Sequence, residues 1–274
     1  MELLTKNGVM YYHSALLPCP HGFATRIGGV STEAHTKSLN LAFARGDSDG
    51  IVLENLARFA DAVGVCPESV VSLSQVHSDR ILCISDSDRG KGYHVPVSDT
   101  ADGYFTTDRT VSLGVKTADC VPILLCGLDE NGDAKAVSAL HAGWRGSAMR
   151  IAEKGVQALM ALGIPKDRIR AAIGPAIGGC CYEVGAEVYR AFLMSVGDRI
   201  TNAAFCRRAD NEEKYMADLK LLNRLLLLEC GISEEAIDVS DACTCCHPEL
   251  FYSHRRTNGV RGTMLSLIAL PRET

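Results

Sequence analysis

Apolar positions along the 274 residues fall into two patterns. Short runs rich in β-branched residues, at 69–73, 80–84, 111–115, 121–125, 136–140, 168–173 and 263–268, predict strands. Between 147 and 162, Ala148, Ile151, Ala152, Val156, Leu159 and Met160 recur at steps of three and four, which predicts a helix with Ser147 as its cap and Gly163 as its stop. A second helix is expected over 218–229, with Leu219, Leu222 and Leu226 on one stripe, Asp218 as cap and Gly231 as terminator. A third is expected over 186–196. Strands outnumber helices, and helices separate some strands but not others. That order favours an α/β fold with a mixed sheet over a strictly alternating parallel one.

No internal repeat, low-complexity tract or Pro/Ser-rich linker divides the chain, so a single domain over 1–274 is expected. No apolar run approaches the ~18 residues of a membrane span, and Met1, Glu2 and Leu3 lead into polar Thr5, Lys6 and Asn7 without the basic-then-apolar opening of a secretory signal. The expectation is a cytoplasmic protein with no membrane partner. Under that reading the 12 cysteines are reduced thiols, some of them free to bind a metal. A formal charge of -5 supplies no diffuse basic field, and one Trp among 6% aromatics supplies little stacking surface, which together exclude a nucleic-acid partner. A local anion site remains compatible with that balance.

Three apolar runs end on a reactive side chain: residues 74–77 on His77, 116–120 on Cys120 and 138–141 on His141. Borderline-soft Zn²⁺ accepts imidazole nitrogen and thiolate sulfur, and three protein ligands leave a fourth position open for water or substrate. The wide spacing of the three residues forms no zinc knuckle, so on spacing alone a core histidine or inert core thiol is the commoner role for each. After His141, the run HAGWRGS at 141–147 joins a strand to a helix. Its glycines permit close approach, the helix start offers free N–H groups, and Arg145 adds a planar cation suited to phosphate. The competing reading pairs Arg145 with a surface carboxylate and buries Trp144 as an anchor.

Two further loops supply Arg26, and Asn40 with Arg45, as candidate substrate contacts, although such composition also suits a plain surface turn. The glycine-rich stretch 173–184 lacks the lysine and hydroxyl of a triphosphate-binding loop. Cys243, Cys245, Cys246, His247 and His254 cluster within 12 residues but lack the repeated C-x2-C pairs of a zinc ribbon, so substitutions there are expected to be tolerated.

The segments HGFATRIGGVS, LNLAFARGD, SLSQVHSDR, ADGYFTT, TADCVPILL, HAGWRG, IGPAIGGCCYEVG, DLKLLNRLLL and FYSHRR follow one another in this order. Together they resemble the family once labelled multicopper polyphenol oxidase or laccase and now regarded as purine nucleoside phosphorylases with adenosine deaminase activity. Bacterial members are also described as peptidoglycan editing factors. The resemblance runs from His21 to Leu270. It implies a four-layered α/β/β/α domain and one zinc held by His77, Cys120 and His141. It also implies purine nucleosides (adenosine, inosine, methylthioadenosine) and phosphate as substrates. The multicopper label fits poorly, because eight histidines spread along the chain do not supply several His-rich copper sites. The chain departs from the family pattern at Ala176, Leu56, His254 and the run Arg261, Gly262, Thr263, none of which belongs to the trio.

Under this reading Arg145 holds phosphate, and Asp119 is either a general acid/base or an orienter of the neighbouring Cys120. Two other classes use the same residues. In one, Cys120 is the nucleophile and a histidine the base of an amidase acting on muropeptide precursors. In the other, the protein is a non-catalytic module that binds nucleoside or metal.

Overall fold

Fifteen strands and six helices succeed one another irregularly over residues 1–272, the part that the computed structural model describes. In chain order they are β1 (Glu2–Lys6), β2 (Val9–His13), β3 (His21–Ala24), α1 (Asp49–Val63), β4 (Val70–Val71), β5 (Ile81–Cys83), β6 (Gly103–Thr106), β7 (Ser112–Thr117), β8 (Val121–Leu128), β9 (Ala134–Ala142), α2 (Trp144–Ala148), α3 (Ile151–Ala161), β10 (Ile169–Ile173), β11 (Glu183–Gly185), α4 (Ala186–Ala204), β12 (Phe205–Arg207), β13 (Lys214–Ala217), α5 (Leu219–Glu229), β14 (Ile237–Val239), α6 (His254–Thr257) and β15 (Met264–Ala269). One six-stranded sheet has the order β1-β2-β3-β15-β7-β4 and a second has β14-β10-β8-β9-β6-β5, while β11, β13 and β12 form a small third sheet. Both large sheets mix parallel and antiparallel pairs, as in β4 beside β7 and β8 beside β9.

The two large sheets pack face to face through Phe23, Val71, Leu113, Val115, Leu124, Val137 and Ile268. Helix α1 covers the outer face of the first sheet with Val52, Leu56 and Phe59. Helices α3 and α5 cover the second with Val156, Leu159, Leu222 and Leu226, which meet Leu125 and Leu140. The result is the expected α/β/β/α stack. A strand covered on both faces reads as a continuous apolar run rather than an alternating one, which is why all of β8 (VPILLCGL) is buried. Among the described residues no helix is long and apolar enough to cross a membrane.

Several expected elements differ in extent. The helix expected over 147–162 is two helices: α2 already begins at Trp144, Ser147 lies inside it, and Arg150 breaks the path with φ 62° before α3 begins. Ser147 is no cap, since its hydroxyl turns inward to the Ala142 carbonyl and accepts from Asn223. Arg150 is held in its left-handed turn by bonds to Glu153 and Glu229. Helix α4 passes the expected end at Val196 by kinking at Gly197 (φ 78°) and running on to Ala204. Only Val70 and Val71 of the run 69–73 pair as a strand. Asp218 caps α5 as read, accepting from Leu221 N at 2.9 Å. Helix α1 went unread although Val52, Leu56, Phe59 and Ala60 have helical spacing and Gly64 closes its end in the left-handed region.

Candidate functional site

The antiparallel register of β8 and β9 places Val121 opposite Ala142 and Pro122 opposite His141. Cys120, just before β8, and His141, near the end of β9, therefore lie side by side at one end of the second sheet. On the other side of β9, β6 pairs Gly103 with Leu140, which sets Asp102 beside His141. His77 enters on the loop between β4 and β5, whose backbone is gathered by Asp102. One ligand atom from each of His77, Cys120 and His141 lies within 4.8 Å of the others. The His77 Nε2 is 3.9 Å from the Cys120 Sγ, and the two imidazole rings are 4.9 Å apart at an interplanar angle of 77°.

Asp102 organises this end of the sheet. It is fully buried and accepts from His141 Nδ1 at 2.8 Å, Ser78 N at 2.7 Å, Ser78 Oγ at 2.7 Å, His77 N at 3.0 Å and Val76 N at 3.1 Å. Burial alone would raise its pKa, but the bonds from His141 and Ser78 outweigh burial and bring the carboxyl down to about 2. Burial likewise opposes charge on His141 and Cys120. Their mutual attraction, with Asp102 behind the imidazole, overrides it, raising His141 to about 9 and lowering Cys120 to about 6. The sulfur is thus a thiolate near neutral pH and faces two imidazoles, a soft donor set suited to a metal ion. With Nδ1 bound to Asp102, His141 offers Nε2 to the site. His77 (φ 61°) and Asp119 (φ 90°) both hold left-handed backbone without being glycine, a local strain of the kind that accumulates at functional sites. Gly143 is required for close packing, since a Cβ there would lie 2.9 Å from His77 Cδ2 and 3.3 Å from the Cys120 sulfur.

Two cavities share the His77 and Cys120 wall. The larger, about 510 Å³, is lined by Trp144, Ile177, Tyr182 and Leu219 together with Arg145 and Arg255. The smaller, about 270 Å³, is lined by Ser72, Gln75, Lys116 and His141. Arg45 and Arg261 border both. The Arg145 guanidinium lies 4.3 Å above the Trp144 ring, and no carboxylate pairs with it among the described residues. Burial brings the Lys116 ammonium down to about 8. The Ser72 hydroxyl and Arg261 Nε are buried without a protein partner among the described residues.

Of the residues nominated from sequence, His77, Cys120, His141, Asp119, Arg145 and Arg45 come together here. Asn40 does not: it is fully buried, donating to Ala42 O and Asp47 and accepting from Ala42 N and Thr263 N, so all its capacity goes into the fold. Arg26 lines neither cavity, because it donates to the carbonyls of Lys37 and Pro248 and packs over Tyr252. The Asp119 carboxylate accepts from Thr244 Oγ1, Ser253 Oγ and Arg255 N. It therefore ties the loop carrying Arg255 to Cys120 rather than presenting a free acid/base. Helix α2 is a single short turn, so the expected anion cradle reduces to Arg145 itself. Sequence reasoning missed Asp102, Lys116, Tyr182, Arg255 and Arg261. Asp102 had a signal, since it stands in ADGYFTT immediately before a strand.

The family model described as multi-copper polyphenol oxidoreductase laccase matches residues 20–271. The chain is 36% identical over 253 residues to purine nucleoside phosphorylase YlmD of Bacillus subtilis (strain 168), covering 91% of this chain and 87% of that protein. It is 38% identical over 257 residues to purine nucleoside phosphorylase YfiH of Escherichia coli (strain K12), covering 92% and 96%. The crystal structure of Bacillus licheniformis hypothetical protein YfiH superposes with a TM-score of 0.87 at 33% identity over 98% of both chains.

Proposed function

Because the chain belongs to the multi-copper polyphenol oxidoreductase laccase family, with relatives that carry the name purine nucleoside phosphorylase, we propose that it is a zinc-dependent purine nucleoside phosphorylase with adenosine deaminase and methylthioadenosine phosphorylase activity. The observation that carries this reading is the meeting of His77, Cys120 and His141, of which His77 and Cys120 wall a cavity that also holds the rings of Trp144 and Tyr182 and Arg145, which has no carboxylate partner among the described residues. The donor set fits zinc: two imidazoles and a thiolate make a three-ligand site with room for a fourth group. The other metal-capable group among the described residues contains no histidine, so the His-rich centres of a multicopper oxidase have no counterpart in them. When bound, the ion supplies Lewis-acid polarisation of a substrate or solvent oxygen.

The chain's own residues account for the rest. Trp144, Tyr182, Ile177 and Leu219 offer apolar and aromatic walls to a purine. Arg145 offers a charged fork to orthophosphate, whose oxygen bonds to the anomeric carbon as the bond from that carbon to the purine nitrogen breaks. Asp102 holds His141 in one tautomer and carries the backbone of His77. Asp119 acts through the loop it fastens, positioning Arg255 beside the cavity.

The test is product analysis from adenosine, inosine and methylthioadenosine with and without phosphate, alongside metal analysis. Free base should appear only with phosphate, and inosine should form from adenosine without it. His77→Ala, Cys120→Ala and His141→Ala should each remove the zinc at this site and abolish turnover. Base release indifferent to phosphate, or full activity after loss of this metal, would refute the reading. One observation favours a second: Asp102, His141 and Cys120 are also arranged as carboxylate, base and nucleophile, which suits an amidase acting on muropeptide precursors. Alkylation separates the two, since a metal-bound thiolate is protected until a chelator is added whereas a nucleophilic Cys120 reacts at once.

A further inference from the structure

Away from these cavities, Cys180, Cys181, Cys243 and Cys246 bring four sulfurs to within 4.8 Å of one another. Two come from the glycine-rich loop before β11 and two from the loop before α6. The Cys246 Sγ lies 3.5 Å from that of Cys180 and 3.4 Å from that of Cys181. Four thiolates placed ~2.3 Å from a tetrahedral zinc ion stand about 3.8 Å apart, so the observed spacing needs little adjustment. The surroundings suit a thiolate at Cys243. Gly178 N donates to the Cys243 sulfur at 3.2 Å, and a Cβ at Gly178 would come within 3.3 Å of the Cys180 sulfur. The buried Lys220 ammonium is held by the carbonyls of Ser240 and Ala242, next to Cys243 in the chain.

We propose that these four cysteines form a second metal centre, a closed tetrathiolate site for Zn²⁺ that clips the two loops together. Binding exchanges four S–H bonds for four Zn–S bonds and releases four protons to solvent, with no change of oxidation state. Four protein ligands leave no open position, so the role is structural. The bridged segments are those that wall the larger cavity. Ile177 and Tyr182 belong to one, while Thr244, Ser253 and Arg255, which converge on Asp119, belong to the other. The histidines near these cysteines in sequence are employed elsewhere, His247 with Glu249 and His254 along the cavity. Cys245 is not one of the four, although its thiol lies beside that of Cys181, and its carbonyl accepts from Arg256.

The test counts zinc in the full-length protein, purified under reducing conditions, by elemental analysis and native mass spectrometry. Two ions per chain are expected. The double variant His77→Ala/Cys120→Ala leaves the cluster untouched and should retain one, and its cobalt-loaded form should show thiolate-to-cobalt charge transfer. Adding Cys246→Ser should remove that ion and its spectrum, while Cys246→His should restore a metal. A double variant with no bound zinc would overturn the proposal. So would native protein in which Cys246 forms a disulfide with Cys180 or Cys181.

Discussion

Replacing Asp102 by Asn tests the organisation of the site with almost no change in shape. The carboxylate is fully buried and receives five donors, from His141, His77, Val76 and twice from Ser78. An amide oxygen accepts about two of these, and the amide nitrogen adds donors of its own facing the remainder. Losing a hydrogen bond to a charged group costs about 1.5–3 kcal/mol and each buried donor left unpaired about 1–3 kcal/mol. The expected destabilisation is about 3–5 kcal/mol, the range for breaking a buried ion pair from one side. His141 also loses the group that fixes its tautomer, so zinc at the trio should bind about 10- to 100-fold more weakly. Urea unfolding of both proteins stripped of metal measures the first quantity, and competition with a chromophoric chelator the second. An unchanged unfolding midpoint together with zinc affinity within about twofold of the original would refute the role assigned to Asp102.

Gly143→Ala has an acceptable φ of -66° but drives a Cβ against His77 and Cys120. Zinc affinity at the trio should fall by about 5- to 150-fold, matching ~1–3 kcal/mol of overpacking, and unchanged affinity in the chelator assay would mean the wall yields freely. Arg145→Ala should raise the phosphate concentration needed for phosphorolysis by about 10- to 100-fold while deamination suffers much less. Arg145→Lys should recover part of it if charge alone matters, and equal loss of both activities with normal zinc would contradict a phosphate contact. His21 provides a pH test away from both metal groups. It accepts from Ser14 N through Nε2, donates from Nδ1 to Cys19 O, and burial brings it down to about 4. Its neutral form is favoured in the folded protein, so its contribution is complete above the unfolded value of about 6.5 and is lost as pH falls toward 4, a difference of about 3 kcal/mol. Urea midpoints across that window should fall in the parent and fall less steeply in His21→Gln; parallel slopes would exclude His21 as the cause.

Local pattern was enough to place the strands on either side of the site and the Asp218 cap, because apolar runs and short-range capping need only near neighbours. The metal-capable trio His77, Cys120 and His141 was legible as reactive side chains at strand ends, and the ordered motifs marked the same three. Their convergence was not legible, because it follows from the pairing of Pro122 with His141 and of Gly103 with Leu140 across the sheet. The same pairing brought in Asp102, whose place in ADGYFTT was a signal but whose partners were not visible until β6 paired with β9. Asn40 and Arg26 had the right chemistry for a ligand, but the fold spends their hydrogen bonds on its own backbone. The cysteines near the C-terminus had no metal-site spacing because half the sulfur group stands more than sixty residues earlier. Residue type and periodicity therefore determined which chemistry the chain carries and which segments are strands or helices. Which side chains share a site was decided by strand register and loop packing, since contacts between segments distant in sequence form only when the sheets and their covering helices close over a common core.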